Sequence, residues 1–220
     1  MEYRGKVADE FAAFVSDAAT TEHTIGYPAV VRELPLPSAR VLDFGCGEGH
    51  FMRTLQRLGY EVVGVDQSPD MIAKAGLGAL LIGESLADLG EATFAAVVAN
   101  YVFCTMDSLG KVAHWIQEIA KVLQPGGSLI IFHSNYLEIN EVQFSSFHTS
   151  FIDPPESGAR VKTTLGQGLV VDDWYWSEGD FVEVFALAGL TLEKVSRLYG
   201  DEGTSKGVAP FLLFHVKKIE

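Results

Sequence analysis

The sequence predicts an α/β protein, a three-layer sandwich built around a mostly parallel sheet. Three observations lead there. Short apolar runs without polar alternation recur along the chain, as strands buried on both faces should read. Segments of helical period separate them, several opened or stopped by capping residues, and such alternation implies a parallel sheet covered by helices. At 220 residues, 48% of them hydrophobic, the chain is long enough for one well-packed domain and short for two.

Taken in order, residues 1–33 read as mainly helical, with Pro28 in HTIGYPAVV offering a helix start, and form a candidate lid over the carboxyl ends of the strands. Residues 34–133 hold five predicted strands, at 41–44, 61–65, 79–82, 94–99 and 128–132. Between them lie predicted helices at 49–58, at 69–75 with Ser68 as N-cap and Pro69 at the first helical position, and at 109–123, stopped by Pro125-Gly126-Gly127. Residues 134–176 depart from that rhythm. They contain two runs, 161–165 and 169–174, around Gly166-Gln167-Gly168, which resemble a hairpin and suggest an insertion over the sheet. In residues 177–220, Ser177 and Asp180 make a capping box for a helix to Ala188, and strands follow at 191–198 and 211–216.

The formal charge of −13 disfavours nucleic acid and anionic membranes, whose binding draws on Lys and Arg. No apolar run reaches the ~18 residues of a membrane span, and Met1 to Lys6 do not lead into a secretory core, so a soluble, cytoplasmic protein is expected. Cys46 and Cys104 make neither a disulfide framework nor a metal-ligand spacing, and no metal is expected.

The chemistry-bearing stretch is VLDFGCGEGHF, residues 41–51, on the first strand-to-helix turn, where open parallel sheets bind ligands. Its glycines read GxGxG: Gly49 comes one position early for a dinucleotide fingerprint, and no Lys-Ser/Thr follows as a phosphate-cradling loop requires. Asp66 ends the second strand twenty-one residues after Gly45, where a carboxylate can accept from both hydroxyls of a ribose, or alternatively cap the next helix. Glu84 and Ser85 follow the third strand within reach of an adenine amino group.

In that order VLDFGCGEGHF, VVGVDQSPDMI, GESLADL, FAAVVANYVF and LQPGGSLIIF resemble the motifs of the class I S-adenosylmethionine-dependent methyltransferases, over residues 41–132. The resemblance implies a seven-stranded sheet of order 3-2-1-4-5-7-6 with the last strand antiparallel. It also implies S-adenosyl-L-methionine as cofactor, and methyl transfer to an oxygen or nitrogen of a small molecule. By position it assigns Asp43, Gly45, Cys46 and Gly47 to the cofactor turn, Asp66, Gln67 and Met71 to the adenosine, Glu84, Ser85 and Leu86 to the adenine, and Asn100 and Tyr101 to the methionine end. Glu84 departs from the Asp of many relatives, and Asn100-Tyr101-Val102-Phe103 is not the Asn/Asp-Pro-Pro-Tyr of enzymes acting on planar amide or adenine nitrogens. A nicotinamide-dependent oxidoreductase and a catalytically silent cofactor-binding subunit are the rival readings.

Alignment of a nucleophile ~3 Å from the methyl carbon is the main requirement of such a transfer. A base is needed only when the acceptor must lose a proton early. His133, ending the fifth strand, and His148, in FSSFHTSF, are the candidate bases; either can instead be structural. His50 is read as pointing away from the acceptor, His23 and His114 as surface or packing residues, and Asp172 and Asp173 as solvated. Tyr136, Trp174 and Trp176 are the candidate substrate-pocket residues, against the plainer reading that they pack the hairpin.

Overall fold

Val41, Leu42 and Phe44 are buried, and their strand takes a parallel neighbour on each side, which places it at the centre of a sheet. The computed structural model describes residues 5–15, 20–76, 78–140, 142–144, 146–151, 155–166, 168–200 and 207–219. In chain order these form α1 (Gly5–Val15), a π-type turn Glu22–Gly26, α2 (Tyr27–Glu33), β1 (Arg40–Phe44), α3 (His50–Arg57), β2 (Glu61–Asp66), α4 (Pro69–Ala75) and β3 (Ala79–Leu81). There follow β4 (Phe94–Asn100), α5 (Leu109–Val122), β5 (Leu123–Ser134), α6 (Tyr136–Ile139), β6 (Phe147–Thr149), β7 (Arg160–Leu165), β8 (Leu169–Trp174), α7 (Glu178–Leu187), β9 (Leu190–Leu198) and β10 (Phe211–Lys218).

The main sheet has the order β3-β2-β1-β4-β5-β10-β9, with β10 antiparallel to both neighbours. With the three insertion strands set aside this is the predicted 3-2-1-4-5-7-6. Alternate side chains feed two apolar layers. On one face Leu42, Val97, Leu129 and Ile131 meet Trp115, Ile116 and Ile119 of α5 and Phe181 and Phe185 of α7. On the other, Val41, Val98, Ile130 and Phe132 meet Val30 of α2 and Met52 and Leu55 of α3. Burial on both faces is why these strands carry unbroken apolar runs.

Ser68 caps α4 by accepting from the Met71 N–H, with Pro69 at the first position. Ser177 and Asp180 exchange both capping-box hydrogen bonds at the start of α7. Ser177→Ala should therefore cost about 1 kcal/mol, read as a melting point lower by ~2–4 °C in a chain of this size.

Two elements differ from expectation. β5 begins at Leu123 rather than at 128, because Leu123 already pairs with Phe94 across a bulge before the regular register resumes. The insertion holds a third strand: β6 pairs antiparallel with β7, which pairs with β8, making a second sheet. Three residues are too short to show a period in sequence. Of the described residues, no helix is long and apolar enough to cross a membrane.

Candidate functional site

The carboxyl ends of β1, β2 and β4 open into a cavity of about 1040 Å³, at the upper end of the roughly 300–1,000 Å³ of ligand pockets. Its floor is the turn after β1. Gly45, Gly47 and Gly49 have φ of 72°, 54° and 80°, left-handed values that glycine adopts without a Cβ clash. They approach different things. A Cβ on Gly45 would lie 2.4 Å from Val102 Cγ2, one on Gly47 would meet nothing within 4 Å, and one on Gly49 would crowd Arg53 and Ala75. Gly47 is thus the one that leaves backbone open to a ligand. Gly45→Ala should destabilise by about 1–3 kcal/mol through overpacking and backbone strain. In chemical unfolding, adding Val102→Ala should recover the space but not the φ penalty.

Asp66 ties this floor together. Its Oδ2 accepts from the Gly47 N–H at 2.9 Å and its Oδ1 from the Ser68 N–H at 2.8 Å. The Gln67 N–H is a third donor to it, against the about four acceptor positions of a carboxylate, so acceptor capacity remains. Burial pushes the Asp66 carboxyl up, opposed by these N–H groups. Asp43, 2% exposed, receives the Met52 N–H, yet its Oδ2 has no partner; burial, with the Asp66 charge adding, raises its carboxyl to about 7. Both amide atoms of Asn100 are buried and unpartnered, as is the Tyr101 hydroxyl. Tyr101 holds a φ of 55°, unusual for a bulky side chain.

The outer half of the cavity is lined by Phe11 and Phe14 of α1, by Thr20, Glu22, His23 and Tyr27, and by Phe147, Thr163, Leu165, Val171 and Asp173 of the second sheet. The N-terminal segment and the insertion therefore face one another across it. A chain of polar groups runs along one wall. Thr20 Oγ1 lies 2.7 Å from His23 Nδ1, and His23 Nε2 lies 2.7 Å from His50 Nε2. His50 Nδ1 is 3.9 Å from Glu48 Oε1, while Glu48 Oε2 accepts from Arg53 at 2.5 Å. The negative Glu48 favours the tautomer with hydrogen on His50 Nδ1. In that form His23 Nε2–H donates to His50, and His23 Nδ1 accepts from the Thr20 hydroxyl. Burial lowers the His50 pKa, with Arg53 and Arg57 acting in the same direction.

Most sequence-assigned cofactor residues line this cavity: Asp43, Gly45, Cys46, Gly47, Asp66, Gln67, Met71, Glu84, Asn100 and Tyr101. Ser85 and Leu86 do not. Their hydroxyl and N–H are both taken by Glu118 Oε2, at 2.7 and 2.9 Å, which shapes the loop after β3 without presenting them. His114 lines that end instead, its Nε2 2.7 Å from the Glu84 carbonyl.

The catalytic and substrate-pocket assignments fall elsewhere. His133 is buried against Tyr136 and Phe181, outside the cavity lining, because alternation along β5 turns it to the α7 face. His148 is likewise not among the lining residues, since on β6 it is Phe147 that faces inward. Tyr136 is buried with its hydroxyl donating to Asp173 Oδ2 at 2.8 Å, and Trp176 packs in the α5/α7 layer with its indole N–H donating to the Met106 carbonyl. Trp174 packs against that same layer. On β8 it is Val171 and Asp173 that point into the cavity, so Asp173 is not solvated; Asp172 pairs with Arg160. His23 and His50 are residues that sequence reading set aside, and Tyr27 lines the cavity beside them. The one available signal was His50 directly after the glycine turn.

Residues 42–131 match the family model of the methyltransferase domain. The likeness covers 90 of the 220 residues, the stretch that carries the glycine turn, Asp66 and Asn100. The chain is 28% identical over 145 residues to the ubiquinone biosynthesis O-methyltransferase of Xylella fastidiosa, 59% of each chain, so the matched part spans somewhat more than half of that relative. Identity is 28% over 203 residues to an uncharacterized methyltransferase of Schizosaccharomyces pombe, covering 83% of this chain and 71% of the other. In fold it resembles the CcbJ methyltransferase of Streptomyces caelestis, with a TM-score of 0.69, 19% identity, and coverage of 100% and 99%.

The cavity's own atoms fit the cofactor that this likeness implies. Open space over Gly47, the spare acceptor capacity of Asp66 and the orphaned polar atoms of Asn100 and Asp43 suit a ligand with a vicinal diol and an amino-acid end. Asp66 would hold the ribose and Asn100 the methionine end, with Gln67, Met71 and Glu84 around the adenosine.

Proposed function

We propose that the chain transfers a methyl group from S-adenosyl-L-methionine to an oxygen or nitrogen of a small-molecule acceptor. The observation that carries this reading is the single cavity that runs from the glycine turn, through Asn100 and Tyr101, to the inner face of the second sheet. The inner half accommodates the cofactor and leaves the outer half, walled by α1 and β6–β8, for the acceptor. The bound cofactor supplies an activated sulfonium methyl. The protein aligns the nucleophile in line with it and excludes water. The net charge of −13 supports a small molecule rather than nucleic acid. The two free, buried cysteines suit the cytoplasm, where we place the protein.

Proton removal falls to the Thr20–His23–His50–Glu48 chain. An acceptor X–H at Thr20 passes its proton to Oγ1 as the Thr20 hydroxyl proton moves to His23 Nδ1. The resulting imidazolium is held by His50, with the Glu48 carboxylate beyond. His133 is not among the residues that line the cavity. Release of S-adenosylhomocysteine, measured over a panel of phenols, amines and heterocycles, tests the reading. Turnover with at least one class is expected; cofactor binding with no turnover across the panel would instead indicate a silent subunit.

A further inference from the structure

We propose that the acceptor is an amine, held as its ammonium among Glu22, Glu48 and Asp173 and methylated on nitrogen once the histidine pair has taken its proton. The inference rests on the methyl-transfer reading above. Its first ground is charge. Among described residues the cavity is lined by these three carboxylates and by Asp43, Asp66, Glu84 and Asp107, against one lysine, Lys111, already paired with Asp107 at 2.7 Å. An anionic acceptor such as a phenolate would find among the described lining residues no unpaired lysine or arginine to hold it, only the cofactor's sulfonium.

The second ground is unpartnered polarity. Glu48 is only 9% exposed and its Oε1 has no hydrogen-bond partner; the buried Tyr101 hydroxyl has none either. The first needs a donor, which an ammonium supplies several times over. The third ground is the walls. Tyr27, Phe11, Phe14 and Phe147 line the same half, and aromatic faces attract ammonium groups. The charges also converge on the two phenols. After burial itself, Glu22, Asp43 and Glu48 raise the Tyr27 hydroxyl, and Glu22 and Asp173 are among the groups raising that of Tyr101. Burial lifts the Asp173 carboxyl to about 6, against the opposing hydrogen bonds of Tyr136, Cys104 and Thr163.

The step balances. The ammonium gives one N–H proton to His23 through Thr20 and becomes a neutral amine. Its lone pair forms the new N–C bond while the C–S bond breaks, its electron pair staying on sulfur as a neutral thioether. The product leaves as a methylated ammonium. A base is indispensable here because a protonated amine has no lone pair to donate.

Calorimetry on the S-adenosylhomocysteine-saturated protein tests this with 2-phenylethylamine and cyclohexylamine against the near-isosteric 4-ethylphenol and cyclohexanol. The amines are expected to bind tighter by about ten-fold or more, and Glu48→Gln or Asp173→Asn to narrow that gap. Retained S-adenosylhomocysteine affinity shows that each variant is folded. With tyramine, which offers both groups, the methyl should appear on nitrogen by proton NMR. Tighter binding of the neutral hydroxyl compounds, O-methylation of tyramine, or no amine binding would each overturn the amine assignment and leave methyl transfer standing. Failure of S-adenosylhomocysteine itself to bind would instead remove the reading beneath it.

Discussion

Asp66→Ala is expected to weaken S-adenosylhomocysteine binding by about 100-fold, measured by calorimetry, because the carboxylate does two things at once. It pins the Gly47 and Ser68 N–H groups, fixing the glycine turn against the start of α4. Its remaining acceptor capacity is what a ribose diol would use. Hydrogen bonds to a charged group contribute about 1.5–3 kcal/mol each, so losing the ribose pair with some loosening of the turn reaches two decades in affinity. Asp66→Asn, which keeps an acceptor without the charge, should fall between. An affinity within three-fold of the unmodified protein for Asp66→Ala would remove this residue from the cofactor site.

The second large effect concerns turnover. His23→Ala should lower kcat by roughly 10²–10⁴-fold, the range for loss of a positioned general base, with S-adenosylhomocysteine affinity unchanged because the pair stands on the acceptor side. His50→Ala should lower kcat less, since Thr20 and His23 remain while the stabilising partner is lost. The pH dependence has a defined sign. Burial lowers the His50 pKa, so the ring stays neutral to more acidic pH than an ordinary histidine. Only neutral His50 can accept from the His23 Nε2–H, so the acid limb that His50 sets in kcat/KM should lie below pH 6.5, activity falling as pH drops through it. An unchanged kcat in His23→Ala would rule the pair out as the base.

Asp43 offers a contrasting stability effect. Its carboxyl titrates near 7 in the folded chain and near 3.8 when unfolded, so the native state holds the proton more tightly between those values. Apoprotein stability should decline as pH rises from about 4 to 7 through this group. Asp43→Asn should flatten that decline in a series of thermal melts while weakening cofactor binding, a trade of function for stability of the kind active sites show.

The sheet and the lining of the cavity around the glycine turn were legible in the sequence because local rules govern them. Buried parallel strands carry continuous apolar runs, Ser68-Pro69 and Ser177 with Asp180 announce helix starts, and the early third glycine with Asp66 at the next strand end distinguishes one cofactor turn from another. The acceptor half was not legible, and for a geometric reason. In strands, neighbouring residues face opposite sides, so a one-residue ambiguity exchanges inside for outside. Phe147 and Asp173 enter the cavity while His148 and Trp174 do not, though each pair is adjacent in sequence. His133 is lost in the same way on β5. The base-bearing chain joins His23 to His50 across twenty-seven positions through the π-type turn, and no local pattern encodes that meeting.

The most direct measurement of the central claim is a calorimetric titration of the purified protein with S-adenosylhomocysteine and, separately, with NAD. The GxGxG turn, the open face of Gly47 and the unpartnered Asn100 amide lead to one expected result: S-adenosylhomocysteine binds at one site per chain and NAD gives no binding heat. Binding of NAD with none of S-adenosylhomocysteine would contradict it, and with it the assignment of every residue around the glycine turn.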